Sequence, residues 1–257
     1  MRGRAPESNL EWKKWGEKDP LWGVAAWQGK EKNGASPWTD DEFYRLGEAD
    51  WQDFFDHWKM YGVDTRSCLE IGCGAGRLTL PNSRTFEQTI AVDVSEGMLD
   101  YARQHVASPS VTFQLVDGIQ LPCADGSVSA IFSAHVFQHF DTLEYATSYF
   151  AEILRALAPG GSMMIHLPIC EWPYLTPRLS RRIYDWRIRL EDAKAWVRRR
   201  LLERGLSRQP IMRALSYPLQ YFYYTLPRLG FEQMEIMIFP VKSNGGYHPF
   251  VLARKKS

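Results

Sequence analysis

Cys68-Leu-Glu-Ile-Gly-Cys-Gly-Ala-Gly76-Arg77 is an apolar run of strand character that passes without a break into a glycine-rich turn. Glycines at 72, 74 and 76 allow the backbone to turn tightly and leave no Cβ between the chain and a ligand. A nucleotide-like ligand at the carboxyl end of a first strand follows. The spacing is G-x-G-x-G with Arg at 77, so the G-x-G-x-x-G dinucleotide fingerprint is not met and an NAD or FAD enzyme is disfavoured.

Working outward, short apolar runs at 67–71, 89–92, 111–116, 128–133 and 162–167 alternate with helical stretches at 95–105 and 143–157. Each parallel strand pair needs a crossover, so this alternation predicts a parallel sheet covered on both faces. Upstream, Thr39-Asp-Asp-Glu42 has capping-box spacing, and Phe43, Leu46, Phe54, Trp58 and Tyr61 continue a helix that Gly62 ends. Downstream, a helix at 218–229 and strands at 233–239 and 247–253 flank the turn Asn244-Gly-Gly246, which predicts an antiparallel edge. The expected fold class is α/β: a doubly wound, Rossmann-like, mostly parallel seven-stranded sheet with an antiparallel C-terminal strand.

Two more strand ends carry carboxylates. Asp93 stands seventeen residues after Gly76 in Ile90-Ala-Val-Asp-Val-Ser95, placed either to accept hydrogen bonds from ribose hydroxyls or to sit as an acid before a helix. Asp117-Gly118 follows the third strand and reads as an adenine contact or as a plain Asp-Gly turn.

These residues, over about 63–168, resemble the class I S-adenosylmethionine-dependent methyltransferases of the small-molecule type. The family's first motif corresponds to Leu69-Glu-Ile-Gly-Cys-Gly-Ala-Gly76, its acidic second-strand end to Asp93, its third-strand motif to Asp117-Gly118, and its fifth-strand lead-in to Leu157-Ala-Pro-Gly-Gly161. The resemblance implies S-adenosyl-L-methionine as cofactor. It places Gly72, Cys73, Gly74 and Gly76 along the methionine part, with Glu70 ordering that loop. Asp93 and Val94 would hold the ribose, and Asp117, Gly118 and Ile119 would bracket the adenine. Met98 would pack on the adenine face or serve as a core residue, and the Ala134 backbone would receive the cofactor's amino group. In Phe132-Ser-Ala-His-Val-Phe-Gln-His139, His135 is the candidate general base, because an imidazole near its ordinary pKa accepts a proton at neutral pH. His139 is the weaker candidate and reads more readily as structural.

Two domains of sequence follow: a Trp-rich arm and helix over 1–62, and the methyltransferase domain over 63–257 with a helical, basic insertion at about 171–216. Trp12, Trp15, Trp22, Trp27 and Trp38 give the arm too much apolar surface to leave in water. In the insertion, Ile183, Trp186, Leu190, Ala193, Val197 and Leu201 step at helical intervals, and 178–213 holds twelve Lys or Arg against four Asp or Glu. These segments are expected to wall the acceptor pocket, with Trp22, Trp27, Trp172, Tyr174 and Tyr221 as aromatic walls. An anionic or aromatic acceptor of small or medium size, methylated on oxygen or nitrogen, fits that wall. Three other readings remain: an RNA substrate tracked by Arg198-Arg-Arg200, a basic helix resting on an anionic membrane surface, and a cofactor-binding module without turnover.

Composition sets the frame. The 257 residues are 45% hydrophobic and 14% aromatic with a net charge of +1, which describes a globular chain rather than a disordered one. No apolar stretch approaches the roughly 20 residues of a membrane span. The four cysteines form no C-x-x-C pair, so reduced thiols and no metal site are expected, in a cytoplasmic monomer or homodimer.

Overall fold

The computed structural model describes residues 7–170, 215–241 and 243–257, together with isolated helical positions between 182 and 201. Most of the basic insertion, with Trp172 and Tyr174, lies outside the described residues. Seven strands form the main sheet: β1 (Ser67–Ile71), β2 (Gln88–Asp93), β3 (Val111–Leu115), β4 (Val128–Ser133), β5 (Leu157–His166), β8 (Phe231–Pro240) and β9 (Tyr247–Lys255). Their order is β3-β2-β1-β4-β5-β9-β8. A short pair, β6 (Ile169–Cys170) and β7 (Tyr217–Pro218), stands apart.

Strands β1 to β5 pair in parallel, whereas β9 runs against both β5 and β8. The reversed strand therefore lies inside the sheet, and the edge beyond it, β8, points the same way as β5. The order reverses between β1 and β4, and that switch point opens a crevice at the carboxyl ends of the strands.

Helix α3 (Asp40–Tyr61) begins where Thr39 caps the Glu42 N–H and stops at Gly62, whose φ of 86° makes the left-handed C-cap. Its Trp51, Phe54 and Trp58 bury against Phe132, Met164 and Phe250 on one face of the sheet. Helices α6 (Leu143–Ala156) and α7 (Leu219–Leu229) cover the other face through Phe150, Ile153, Phe222 and Leu226.

Two elements differ from the reading of the sequence. A helix α4 (Thr79–Thr85) directly follows the glycine turn, and the arm is helical: α1 (Glu7–Lys18) and α2 (Pro20–Val24). Helix α1 shows no apolar period because the residues it buries include Ser8, Asn9 and Glu11 beside Trp15. It lies on α5 (Glu96–His105) at a glycine crossing: a Cβ on Gly16 would come within 2.2 Å of Ser95 Oγ and 3.0 Å of the Met98 nitrogen. Gly16→Ala is therefore expected to prise α1 from α5 and to lower stability by about 1–3 kcal/mol. Thermal unfolding followed by tryptophan fluorescence checks this, and an unchanged midpoint would show that the crossing is not tight.

Candidate functional site

The crevice holds a cavity of about 270 Å³ that runs from the glycine turn to the arm. Gly72 and Gly74 form its floor with φ of 70° and 53°, conformations costly for any residue with a side chain. A Cβ on Gly72 would lie 2.3 Å from Val136 Cγ2, and one on Gly74 would lie 2.6 Å from Val24 Cγ2. A cradle that a single methyl group would fill fits a ligand drawn close to backbone.

Asp93 ends β2 at the same floor and is 8% exposed. Its Oδ2 accepts the Gly74 N–H at 2.9 Å and its Oδ1 accepts the Ser95 N–H at 2.9 Å. Burial raises its pKa, and the backbone N–H bonds pull it back down. Each oxygen keeps a lone pair for a ligand hydroxyl. Glu70 is buried out of contact with the cavity, its Oε2 has no partner, and burial pushes its carboxyl up to about 8. It is held as a neutral acid near pH 7.

Of the other residues singled out from the sequence, Val94, Met98, Ala134, His135, His139 and Trp27 line the cavity. Met98 is 1% exposed and packs at the same time into the arm's aromatic cluster. Cys73, Gly76, Asp117, Gly118, Ile119, Trp22 and Tyr221 are not among its lining residues. The Asp117 carboxylate bonds its own turn, accepting the Ile119 N–H at 2.8 Å, which is the local Asp-Gly geometry. Asn9 Nδ2 donates to the Asp117 carbonyl at 2.8 Å, and the Tyr145 hydroxyl donates to the Gly118 carbonyl, so α1 and α6 clamp this turn. Trp22 points away to stack on Trp15 and donates to the Trp27 carbonyl at 3.0 Å. Tyr221 bonds Thr147 Oγ1 at 2.8 Å and packs against the core between α6 and α7, so it is no wall of the cavity.

His135 adopts a left-handed φ of 61°, a strained setting for a residue with a Cβ. Its N–H donates to His166 Nδ1 at 3.3 Å, and His166 Nε2 lies 3.2 Å from His248 Nδ1. Since Nδ1 of His166 accepts, its proton sits on Nε2 and is donated to His248. Burial, then the neighbouring His166, holds His135 well below the ordinary histidine range, and burial pushes His166 down to about 3. One ring nitrogen from each of the three lies within 4.8 Å of the other two. The His135 backbone N–H and the His248 ring thus both hydrogen-bond the His166 ring, while the His135 ring packs against His166 and His248. His139 stacks edge-on against Trp12, with ring centres 4.8 Å apart.

Reasoning from sequence missed Asn9, Val24, Asp50, Arg77, His166 and His248, all at or behind the cavity wall. Arg77 was in view in the glycine motif, where it served only to rule out a dinucleotide fingerprint. The others carry no local signal.

A switch-point crevice, a glycine cradle after β1 and a carboxylate closing β2 belong to a doubly wound sheet whose crevice suits a nucleotide-like ligand, the Rossmann-like fold that S-adenosylmethionine-dependent methyltransferases share. Residues 69–165 match the family described as "Methyltransferase domain". The malonyl-[acyl-carrier protein] O-methyltransferase of Hahella chejuensis is 35% identical over 98 residues, covering 37% of this chain and 34% of that protein. The probable tRNA methyltransferase 9B of Mus musculus is 34% identical over 98 residues, covering 38% of this chain and 21% of that protein. The match thus spans about a third or less of these relatives' length. A phosphoethanolamine N-methyltransferase of Haemonchus contortus, solved with phosphoethanolamine and S-adenosylhomocysteine, shares the fold at a TM-score of 0.60 and 14% identity, over 97% of this chain and 48% of that one. No helix among the described residues is long and apolar enough to cross a membrane.

Proposed function

We propose that the protein transfers the methyl group of S-adenosylmethionine to an oxygen or nitrogen of a small acceptor enclosed beneath the N-terminal arm. The observation that carries this reading is that Trp12, Val24 and Trp27 of the arm line the same cavity as Gly72, Gly74 and Asp93. Its volume of about 270 Å³ lies at the lower end of ligand sites, which run to roughly 300–1,000 Å³. A tRNA-sized substrate, as the name of the mouse relative suggests for that protein, would have to extrude a single base into this cavity.

S-adenosylmethionine supplies an electrophilic sulfonium methyl, so positioning and exclusion of water do much of the work. In this reading Gly72 and Gly74 take the methionine part, Asp93 and Val94 the ribose, Met98 the adenine face, and the Ala134 backbone the amino group. Asp117, Gly118 and Ile119 border the adenine from behind the clamp of Asn9 and Tyr145. Burial holds His135 well below the ordinary imidazole range on which its reading as a base rested, so in this reading it stays neutral and orients an acceptor hydroxyl or amine by hydrogen bonding.

Isothermal titration with S-adenosylmethionine, S-adenosylhomocysteine and NADH tests the first half. Micromolar binding of the first two and none of NADH is expected, and binding of NADH alone would overturn the reading. Transfer of label from methyl-labelled cofactor into a pool of small hydroxy and amino compounds tests the second. Label appearing only in RNA would replace the small acceptor with a nucleic acid.

A further inference from the structure

His166, the last residue of β5, stands behind the cavity and ties together two histidines that line it, His135 and His248. Its Nδ1 accepts the His135 backbone N–H at 3.3 Å, and its Nε2 lies 3.2 Å from His248 Nδ1. Burial lowers the pKa of His166 and of His248, so both rings are neutral near pH 7. A neutral imidazole has a single N–H, so a ring that accepts at Nδ1 donates at Nε2. Each step is set by the one before it. The backbone N–H can only donate, which fixes His166 with its proton on Nε2; His248 must then accept at Nδ1, which leaves its own proton on Nε2. His166 is 5% exposed and packs edge-on against Phe250, ring centres 5.2 Å apart, which holds the middle of the chain in place.

The Nε2–H of His248 is the open end. Among the described residues it makes no hydrogen bond, it is not sealed from solvent, and His248 lines the same cavity as His135, Gly72 and Asp93. A neutral N–H recognises a lone pair: it suits a hydroxyl or carbonyl oxygen and has nothing to offer an ammonium, which carries only protons. Resting on the methyl-transfer reading above, we infer that His248 donates its Nε2–H to an oxygen of the methyl acceptor, and that His166 is the positioning residue that holds His248 in this tautomer. Such a bond orients the acceptor without taking its proton. It narrows the acceptor to compounds that carry a hydroxyl or carbonyl oxygen.

Proton–nitrogen NMR of histidine-labelled protein, free and with S-adenosylhomocysteine, reads the tautomer of each ring. Wild type is expected to carry the proton of both His166 and His248 on Nε2. His166→Phe, which keeps an aromatic ring against Phe250, is expected to turn His248 into a mixture of tautomers. A His248 proton on Nδ1 in wild type, or a His248 pattern untouched by His166→Phe, would sink the inference. Cobalt(II) is expected to leave the three rings unshifted; paramagnetic shifts in all three would make them a metal centre and overturn the donor role. Transfer of label from methyl-labelled S-adenosylmethionine into small hydroxy and amino compounds supplies the second readout. His166→Phe and His248→Phe are expected to slow labelling of hydroxy compounds about 10-fold while S-adenosylhomocysteine affinity changes less than about twofold, which also shows the variants to be folded. His248→Gln, whose amide N–H stands near the place of Nε2–H, is expected to recover part of that loss. Equal rates in wild type and all variants, or labelling confined to amines without oxygen, would overturn the inference alone. Wild type that binds S-adenosylhomocysteine but labels no compound would overturn the small-acceptor reading, and the inference with it.

Discussion

Asp93→Ala is expected to weaken S-adenosylmethionine and S-adenosylhomocysteine by at least about 100-fold in a calorimetric titration. The carboxylate does two things at once. It ties down the glycine turn through the Gly74 N–H and the start of α5 through the Ser95 N–H, each at 2.9 Å, and it faces the cavity. Removing it leaves two buried N–H groups unanswered as well as any ribose hydroxyl, and each such loss costs about 1–3 kcal/mol against 1.4 kcal/mol per tenfold in affinity. Asp93→Asn should fall between, because one oxygen still accepts while the amide NH2 confronts an N–H donor. Wild-type affinity in Asp93→Ala would remove Asp93 from the site.

The second large effect is an opposition in the pH dependence of stability. Burial lowers the pKa of His135, His166 and His248, and for His135 the neighbouring His166, Arg77, His248 and His139 add to it. The folded state then binds fewer protons than the unfolded state below the ordinary histidine value of 6.5. Stability is therefore lost as pH falls through that region, by up to about 1.4 kcal/mol per pH unit for each histidine. Glu70 works the other way. Burial, opposed by the Thr79 hydroxyl and then Arg77 and reinforced by Asp93, raises its carboxyl from 4.5 to about 8. Its contribution is complete below the unfolded value and is lost as pH rises toward 8. Glu70→Gln removes only this second slope, so the variant should be more stable than wild type at pH 7.5 by about 2–4 kcal/mol, with the gap closing near pH 5. Urea unfolding from pH 5 to 8 measures both curves. Parallel curves, or a less stable variant at pH 7.5, would show that Glu70 is not held as the neutral acid.

How much of this was legible in the sequence depends on how local each feature is. Strands β1 and β4 run over 67–71 and 128–133 as their apolar runs predict, and α3 lies between Thr39 and Gly62 because its caps are written in adjacent residues. The arm's helices were not legible, since α1 buries Ser8, Asn9 and Glu11 and crosses α5 through a glycine, which erases the apolar stripe. Tyr221 looked like a pocket wall by its place after the insertion, yet the α7 face that carries it packs on α6.

The sequence by itself determined the fold and the glycine floor of the cavity with Asp93 beside it. Glycines that permit a left-handed turn and a carboxylate at the end of the next strand are fixed by the chain's own local geometry, and the β–α alternation carries them to one edge of the sheet. The rest of the cavity wall was decided only by tertiary structure. Val24 from the arm, Asp50 from α3, Arg77 from the glycine turn, His135 beyond β4 and His248 on β9 meet around one cavity, with His166 of β5 behind them. Contacts between segments so far apart leave no period or spacing in the chain. Val24 is brought there by burial of the arm's tryptophan cluster, which removes apolar surface from water, and His166 and His248 by the pairing of β5 with β9.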